Sequence, residues 1–266
     1  MDLTGKVALI TGGTHGLGGT ISQELHAAGA KVLITGIEDD QGAALARSLG
    51  EGAAYRRMDL GQDGDIDAAL DDCKSRFGRL DIVVHNACSY LDEGIGTARA
   101  DWLTSLNINV VGAAVLIDKA RGLLTAPGGV VVLIGSVSAK SGSRTRGPYS
   151  VSKAAIAQLM KLSAVQLGPD GNRAVSVTPG WTWTPPMEAM TDGDRTIADK
   201  AGAEVNLLGR VGRMKEVANA VVFASSDAAS WITGCDIPVD GGFTALGPDR
   251  GFGPRHWCGL MSDQGD

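Results

Sequence analysis

The feature that most constrains the fold lies at the start of the chain. Val7-Ala8-Leu9-Ile10, a short β-rich apolar run, ends in Thr11-Gly12-Gly13-Thr14-His15-Gly16-Leu17-Gly18-Gly19, after which Ile21, Leu25 and Ala28 recur at helical spacing. The order is strand, glycine turn, helix. Such glycines let backbone N–H groups and a helix N-terminus approach a diphosphate, where the helix dipole and unsatisfied donors favour negative charge. Ordinary tight turns use glycine too, so the rest of the chain must decide.

The alternation continues. Val32-Leu33-Ile34-Thr35 reads as a second strand, 41–49 as a helix and 53–58 as a third strand closed by Asp59. A helix over 63–77, a strand over 80–84 ending in His85-Asn86-Ala87-Cys88, and a long helical stretch over 98–124 bearing Asn107 and Asn109 follow. Next come a strand over 130–134 with Ser136 at its end, a helix over 148–167, and a strand over 174–177 turning at Pro179-Gly180. Strands alternating with helices predict a parallel sheet covered on both faces, a doubly wound, Rossmann-like α/β fold in a single domain. Ligands then bind beyond the C-terminal strand ends. The domain is expected over 1–246, with a segment at about 184–206 covering the site. Residues 247–266, with Trp257, Leu260 and Met261 as their few sticky side chains, are expected to form a C-terminal arm or frayed end.

A net charge of −6 argues against a nucleic-acid surface. Cys73, Cys88, Cys235 and Cys258 lack the spacing of a metal site or a disulfide framework, so no metal is expected. No basic segment, long apolar run or cleavage pattern precedes the first strand, which predicts neither a secretory signal nor a spanning helix and makes a cytoplasmic protein the default.

Within the helix over 148–167, Tyr149 and Lys153 stand one turn apart on one face. A cation beside a tyrosine stabilises the phenolate and prepares it to trade protons. A hydroxyl from Ser136, delivered by the neighbouring strand end, can hydrogen-bond a substrate oxygen meanwhile. Taken alone, a tyrosine and a lysine four apart are more often a half-buried aromatic beside a solvated lysine.

In combination the chain resembles the short-chain dehydrogenase/reductase family from Gly5 to about Gly247. The likeness rests on Thr11-Gly12-x-x-x-Gly16-x-Gly18, Asp59-Leu60, Asn86-Ala87, Asn109 with Gly112, Ser136, Tyr149-x-x-x-Lys153, Pro179-Gly180-x-x-x-Thr184 and Asp240-Gly241-Gly242. The resemblance implies that Tyr149 is general acid or base and that Ser136 holds the reacting oxygen. It further implies that Lys153 binds the nicotinamide ribose and lowers the tyrosine pKa, and that Asn109 holds a relay water; Asn107 is the weaker candidate. Gly12, Thr14, His15, Gly16 and Leu17 would line the diphosphate and adenosine ribose of the cofactor. Asp59, with the Leu60 backbone, would meet adenine, unless it only caps a turn. Asn86 and Ala87 would flank the adenosine or ribose. Pro179, Gly180, Thr182 and Thr184 would border the nicotinamide amide. Relatives are commonly tetramers joined through the helices bearing Asn109 and Tyr149, which implies a homotetramer.

Two departures stand out. His85 and Cys88 occupy the first and last places of the family's usual Asn-Asn-Ala-Gly, where packing is the simpler role. At the end of strand two, Gly36 and Ile37 stand where NAD-preferring relatives carry an acid and NADP-preferring ones an arginine. Glu38, Asp39 and Asp40 would repel a 2′-phosphate and His15 could attract one, so a modest NAD preference is expected, with NADP possible.

The substrate is expected near residues 89–96, 138–146 and 181–187, including Ser138, Arg146, Trp181 and Trp183. Lys140, Arg144 and Arg146 lie close together in an acidic chain and suggest a small polar or anionic molecule: a hydroxy acid, a sugar acid or a hydroxysulfonate. A solvated loop is the plainer reading of those cations, and packing that of the two indoles. The expected activity is NAD(P)-dependent interconversion of a secondary alcohol and a ketone. Alternatives are reduction of a 3-ketoacyl thioester and cofactor sensing without turnover, the latter disfavoured by the complete proton-transfer set.

Overall fold

The computed structural model describes residues 1–247 and 250–262. Seven strands form one parallel sheet in the order β3-β2-β1-β4-β5-β6-β9: β1 Val7–Thr11, β2 Lys31–Gly36, β3 Ala53–Arg57, β4 Ile82–His85, β5 Val130–Ile134, β6 Arg173–Pro179 and β9 Asp236–Val239. A separate pair joins β7 Thr182–Trp183 to β8 Gly212–Arg213. The helices are α1 Gly16–Ala27, α2 Asp39–Leu49, α3 Asp63–Phe77, α4 Arg99–Leu106, α5 Gly112–Arg121, α6 Pro148–Leu167, α7 Pro185–Met190, α8 Arg195–Ala203, α9 Met214–Ser225 and α10 Pro254–Ser262. The expected doubly wound sheet is thus present.

Strand side chains alternate between two cores because successive residues point to opposite faces. Leu9, Leu33, Val83, Val131 and Leu133 pack with Ile66 and Leu70 of α3, Leu116 of α5 and Met160 of α6. Ala8, Ile10, Val32, Val84 and Val132 pack with Ile21 and Leu25 of α1 and Val217 and Val221 of α9. Each large aliphatic side chain removed from water contributes about 1.5–3 kcal/mol, which explains why central strands read as unbroken apolar runs. Strand order reverses between β1 and β4, the point at which doubly wound sheets hold ligands beyond the strand ends.

Several elements differ from expectation. The long helix over 98–124 is three pieces, because Asn107–Val111 between α4 and α5 is a π-helical turn. By length and composition alone the stretch Arg99–Arg121 is long and apolar enough to cross a membrane, where no spanning helix was expected. In this fold it is a helix of the domain, with Ala113, Leu116, Ile117 and Ala120 buried in the first core. The sequence reading left α9 and β9 unassigned. The segment at 184–206, expected to cover the site, contains α7 and α8, and the tail contains α10; the tail residues 248–249 and 263–266 lie outside the described residues.

Candidate active site

The glycine turn is built by close backbone approach. Gly12 and Gly16 take left-handed φ of 57° and 54°, and a Cβ on Gly12 would stand 2.8 Å from the Ala87 backbone. A Cβ on Gly18 would collide with the Gly12 carbonyl. Asn86 fastens the turn from β4: its Nδ2 donates to the Gly12 carbonyl at 2.9 Å and weakly to that of Thr11. Thr11 Oγ1 accepts the N–H groups of both Asn86 and Ala87 at 3.0 Å. The first turn of α1 carries no acidic side chain, and His15 at its N-cap makes no capping bond. A cradle of bare backbone ending at an uncapped helix start fits a diphosphate.

At the end of β2, Thr14 Oγ1 donates to Glu38 Oε2 at 2.8 Å and contacts His15 Nδ1 at 3.0 Å. A Cβ on Gly36 would lie 2.8 Å from Thr14 Cγ2 and 3.1 Å from Glu38 Oε2, so the missing side chain makes room for the Glu38 carboxylate. Asp39 is engaged elsewhere, accepting from Tyr55 at 2.8 Å and Arg57 at 3.1 Å. The three acids expected to act together therefore divide, and only Glu38 meets the glycine turn. Asp59 does cap a turn: its Oδ1 accepts from Gly61 N at 2.8 Å, with buried Leu60 between them.

His85 is buried and its ring joins two elements. Nε2 donates to the Asn109 carbonyl at 3.2 Å, which leaves Nδ1 to accept from Thr11 Oγ1 at 3.4 Å. Burial, aided by the Lys153 charge, pushes its pKa down to about 3, and the bond to Asn109 opposes this only in part. The imidazole is neutral and serves as a bracket, the packing role expected. Beside it, burial raises the Cys88 thiol pKa, and its Sγ donates to the Ser89 carbonyl.

Asn109 sits in the π-helical turn with its side chain buried. Oδ1 accepts from Ser89 N at 2.6 Å, while Nδ2 donates to the Ser89 carbonyl and to Ser152 Oγ at 3.2 and 3.1 Å. Ser152 in turn donates to the Tyr149 carbonyl at 2.7 Å, tying Asn109 to α6. Lys153 is only 4% exposed; its Nζ donates to the Ile134 carbonyl at 2.8 Å and lies 5.7 Å from the centre of the Tyr149 ring. Ser136 follows two residues after Ile134, buried, with Oγ accepting from Ser138 N at 3.1 Å. Asn109 is thus tied to Tyr149 through Ser152, and Lys153 to the end of β5, two residues before Ser136.

The expected substrate residues separate. Arg146 Cζ lies over the Tyr149 ring at 5.5 Å. Lys140 instead forms a 2.8 Å ion pair with Asp236, and Arg144 is exposed. Trp181 lines a cavity of about 420 Å³ with Leu207, Leu208, Arg210 and Gly241, which none of Ser136, Tyr149 and Lys153 borders. The close approach of Gly180 to Asp240 carries the loop toward β9. Trp183 pairs with Arg213, Thr182 Oγ1 donates to the Gly180 carbonyl at 3.0 Å, and Thr184 stands at the N-cap of α7 without a capping bond. Two residues at the site were missed. Tyr90 stacks on Tyr149 with centroids 5.3 Å apart, and Asp92 accepts from Tyr149 N at 2.9 Å. Their only signal was membership of the stretch 89–96.

A parallel doubly wound sheet with a glycine turn at one strand end and a serine, tyrosine and buried lysine at another defines a dinucleotide-dependent oxidoreductase. Comparison with known proteins agrees. A family model described as enoyl-(acyl carrier protein) reductase matches residues 12–244. The chain is 35% identical over 257 residues to a 3-alpha-(or 20-beta)-hydroxysteroid dehydrogenase of Mycobacterium tuberculosis, covering 94% of both chains. It is 31% identical over 250 residues to trans-4-hydroxycyclohexanecarboxylate dehydrogenase of Sinomonas cyclohexanicum, covering 90% of this chain and 93% of the relative. A solved short-chain type dehydrogenase/reductase from Mycobacterium ulcerans matches with a TM-score of 0.85 and 32% identity over 92% of each chain. The chain belongs to the short-chain dehydrogenase/reductase family, enzymes that use NAD(P).

Proposed function

We propose that this enzyme interconverts a secondary alcohol and a ketone on a small ring substrate carrying an anionic group, with NAD preferred over NADP. The observation that carries the reading is Asn109 tied through Ser152 to Tyr149, with Lys153 buried 5.7 Å from the Tyr149 ring centre and anchored on Ile134, two residues before Ser136. Bound nicotinamide supplies hydride exchange at carbon. The chain's own residues handle the oxygen and its proton. Ser136 Oγ hydrogen-bonds the substrate oxygen, and Tyr149 takes the hydroxyl proton during oxidation or returns it during reduction. The Lys153 ammonium offsets the negative charge on the phenol oxygen that this exchange creates. Asn109 couples the π-helical turn to α6 and holds a relay water.

Gly12, Thr14, His15, Gly16 and Leu17 would hold the diphosphate and adenosine ribose, Glu38 the ribose hydroxyls, Asp59 and Leu60 the adenine, and Asn86 and Ala87 the strand-end side. Pro179, Gly180, Thr182 and Thr184 would hold the carboxamide end. Glu38, fixed by Thr14, would repel a 2′-phosphate. Arg146, over the Tyr149 ring, is the anchor for the substrate anion, with Tyr90 a flat wall against a ring. The small ring alcohol with a carboxylate named for trans-4-hydroxycyclohexanecarboxylate dehydrogenase supports this class.

The subunits are proposed to form a homotetramer through apolar side chains exposed on α4 to α6, among them Leu103, Val111, Val151 and Val165, and to work in the cytoplasm. Residues 1–246 are proposed to form the domain, with the described residues after it, α10 among them, as an arm. A monomer by light scattering contradicts the assembly. Absorbance at 340 nm tests the activity: with trans-4-hydroxycyclohexanecarboxylate and NAD it should rise faster than with cyclohexanol or NADP. The family model's description favours a thioester substrate as the second reading, and faster turnover of an acetoacetyl thioester would select it.

A further inference from the structure

Helix α6 carries Tyr149 at its second position, yet it lacks the usual means of fixing its start. Its N-cap is Gly147, which offers no side chain, Pro148 has no N–H, and the first turn holds no acid. Unsatisfied N–H groups at a helix start seek an acceptor, and a negative charge there also complements the dipole. The acceptor comes from the loop over 89–97. Asp92 Oδ1 accepts the N–H groups of Gly94 at 2.9 Å and Gly147 at 2.7 Å, and Oδ2 accepts that of Tyr149 at 2.9 Å. Burial opposes ionisation of this carboxyl, but the N–H groups of Gly147, Tyr149 and Gly94, with the Arg146 charge, hold its pKa below the ordinary value.

Two further contacts make the carboxylate the centre of a strut. A Cβ on Gly147 would collide with the Gly94 carbonyl, so the two loops meet backbone to backbone. At the other end of the same loop, Ser89 exchanges hydrogen bonds with the Asn109 side chain through both its N–H and its carbonyl. The loop over 89–97 therefore spans from the π-helical turn to the N-terminus of α6, and Tyr90 on it stacks against the Tyr149 ring.

We infer that Asp92 is a positioning residue: it caps α6 from the loop over 89–97 and sets the position of Tyr149 relative to Asn109 and Lys153. The inference rests on the proposed role of Tyr149. It adds that the geometry of the proton-transfer group depends on a carboxylate 57 positions away in sequence from Tyr149.

Asp92→Asn tests this within the intact protein. The amide is nearly isosteric and keeps one oxygen for Gly94 and Gly147, but turns an NH2 donor against the Tyr149 N–H. Two readouts are measured beside wild type and Tyr149→Phe: steady-state oxidation of trans-4-hydroxycyclohexanecarboxylate with NAD, and amide hydrogen exchange of the peptide over 147–153. The expected result is a kcat lower by about tenfold or more, with KM for NAD within about twofold, because a loss confined to the transition state appears in kcat. Exchange at the start of α6 should quicken while β1, β4 and β5 keep wild-type protection. Wild-type kcat in Asp92→Asn, with Tyr149→Phe inactive, overturns the inference and leaves the role of Tyr149 standing. Activity retained in Tyr149→Phe overturns that role instead. Unchanged exchange over 147–153 overturns the capping whether or not this alcohol is turned over. Should Asp92→Asn fold poorly, Asp92→Glu, which keeps the charge at a longer reach, must restore folding and show the same selective fall in kcat.

Discussion

Lys153 is bound to Ile134: its Nζ donates to that carbonyl at 2.8 Å, so the charge of α6 is anchored at the end of β5, two residues before Ser136. A lysine that is 4% exposed is costly to keep charged in a protein interior, and no carboxylate pairs with it by ion bridge among the described residues. Such an arrangement favours function over stability. Lys153→Met should lower turnover by about 10²-fold or more while leaving Tm within a few degrees of wild type or above it. Parallel kinetics and thermal melts check this, and a sharp drop in Tm with turnover retained would show a structural lysine.

Glu38 and Thr14 define the second expectation. With the carboxylate fixed by a 2.8 Å bond, a 2′-phosphate would meet a like charge, and each 1.4 kcal/mol of repulsion weakens binding about tenfold. Fluorescence titration should find NAD bound about tenfold or more tighter than NADP. Glu38→Gln should bring the two affinities together, mainly by tightening NADP. Equal affinities in wild type would remove Glu38 from cofactor choice.

His85 should make the protein acid-sensitive. Its folded pKa of about 3 lies below the ordinary value of 6.5, so between these limits the unfolded chain binds the extra proton and stability falls as pH drops below about 6.5. The contribution approaches about 1.4 kcal/mol per pH unit. His85→Asn should flatten the fall in stability between pH 6.5 and 5 in denaturant titrations. The same slope in both proteins would mean the imidazole is not held neutral.

Arg146 should act on anionic substrates alone. A charge-assisted hydrogen bond contributes about 1.5–3 kcal/mol, so Arg146→Ala should raise KM for trans-4-hydroxycyclohexanecarboxylate by about tenfold or more. The kinetics of cyclohexanol should stay within about twofold. An equal loss on both alcohols would assign the guanidinium to the Tyr149 ring instead of the substrate.

The sheet was legible because its central strands are buried on both faces and so read as apolar runs, β1 and β5 most plainly. Strand β9 escaped because Asp236 and Pro238 interrupt it; Asp236 is held by Ser176 and Thr178 of β6, a partnership that exists only once the strands pair. Tyr149 and Lys153 were legible because one helix carries both. Asp92 and Tyr90 were not, since they meet Tyr149 only once the chain is folded. The cavity that Trp181 shares with Leu207 and Leu208 was not legible either, because the packing of Gly180 on Asp240 beside it exists only in the fold. At the cofactor end, the sequence displayed three carboxylates but not the Arg57 that occupies Asp39.

The most direct measurement of the central claim is hydride transfer by wild type and Tyr149→Phe, followed at 340 nm with NAD and a ring alcohol, beside NAD binding by fluorescence. Removing the phenolic hydroxyl alone should reduce turnover by about 10²–10⁴-fold while NAD binds with unchanged affinity. Turnover within a few-fold of wild type in Tyr149→Phe would contradict the account.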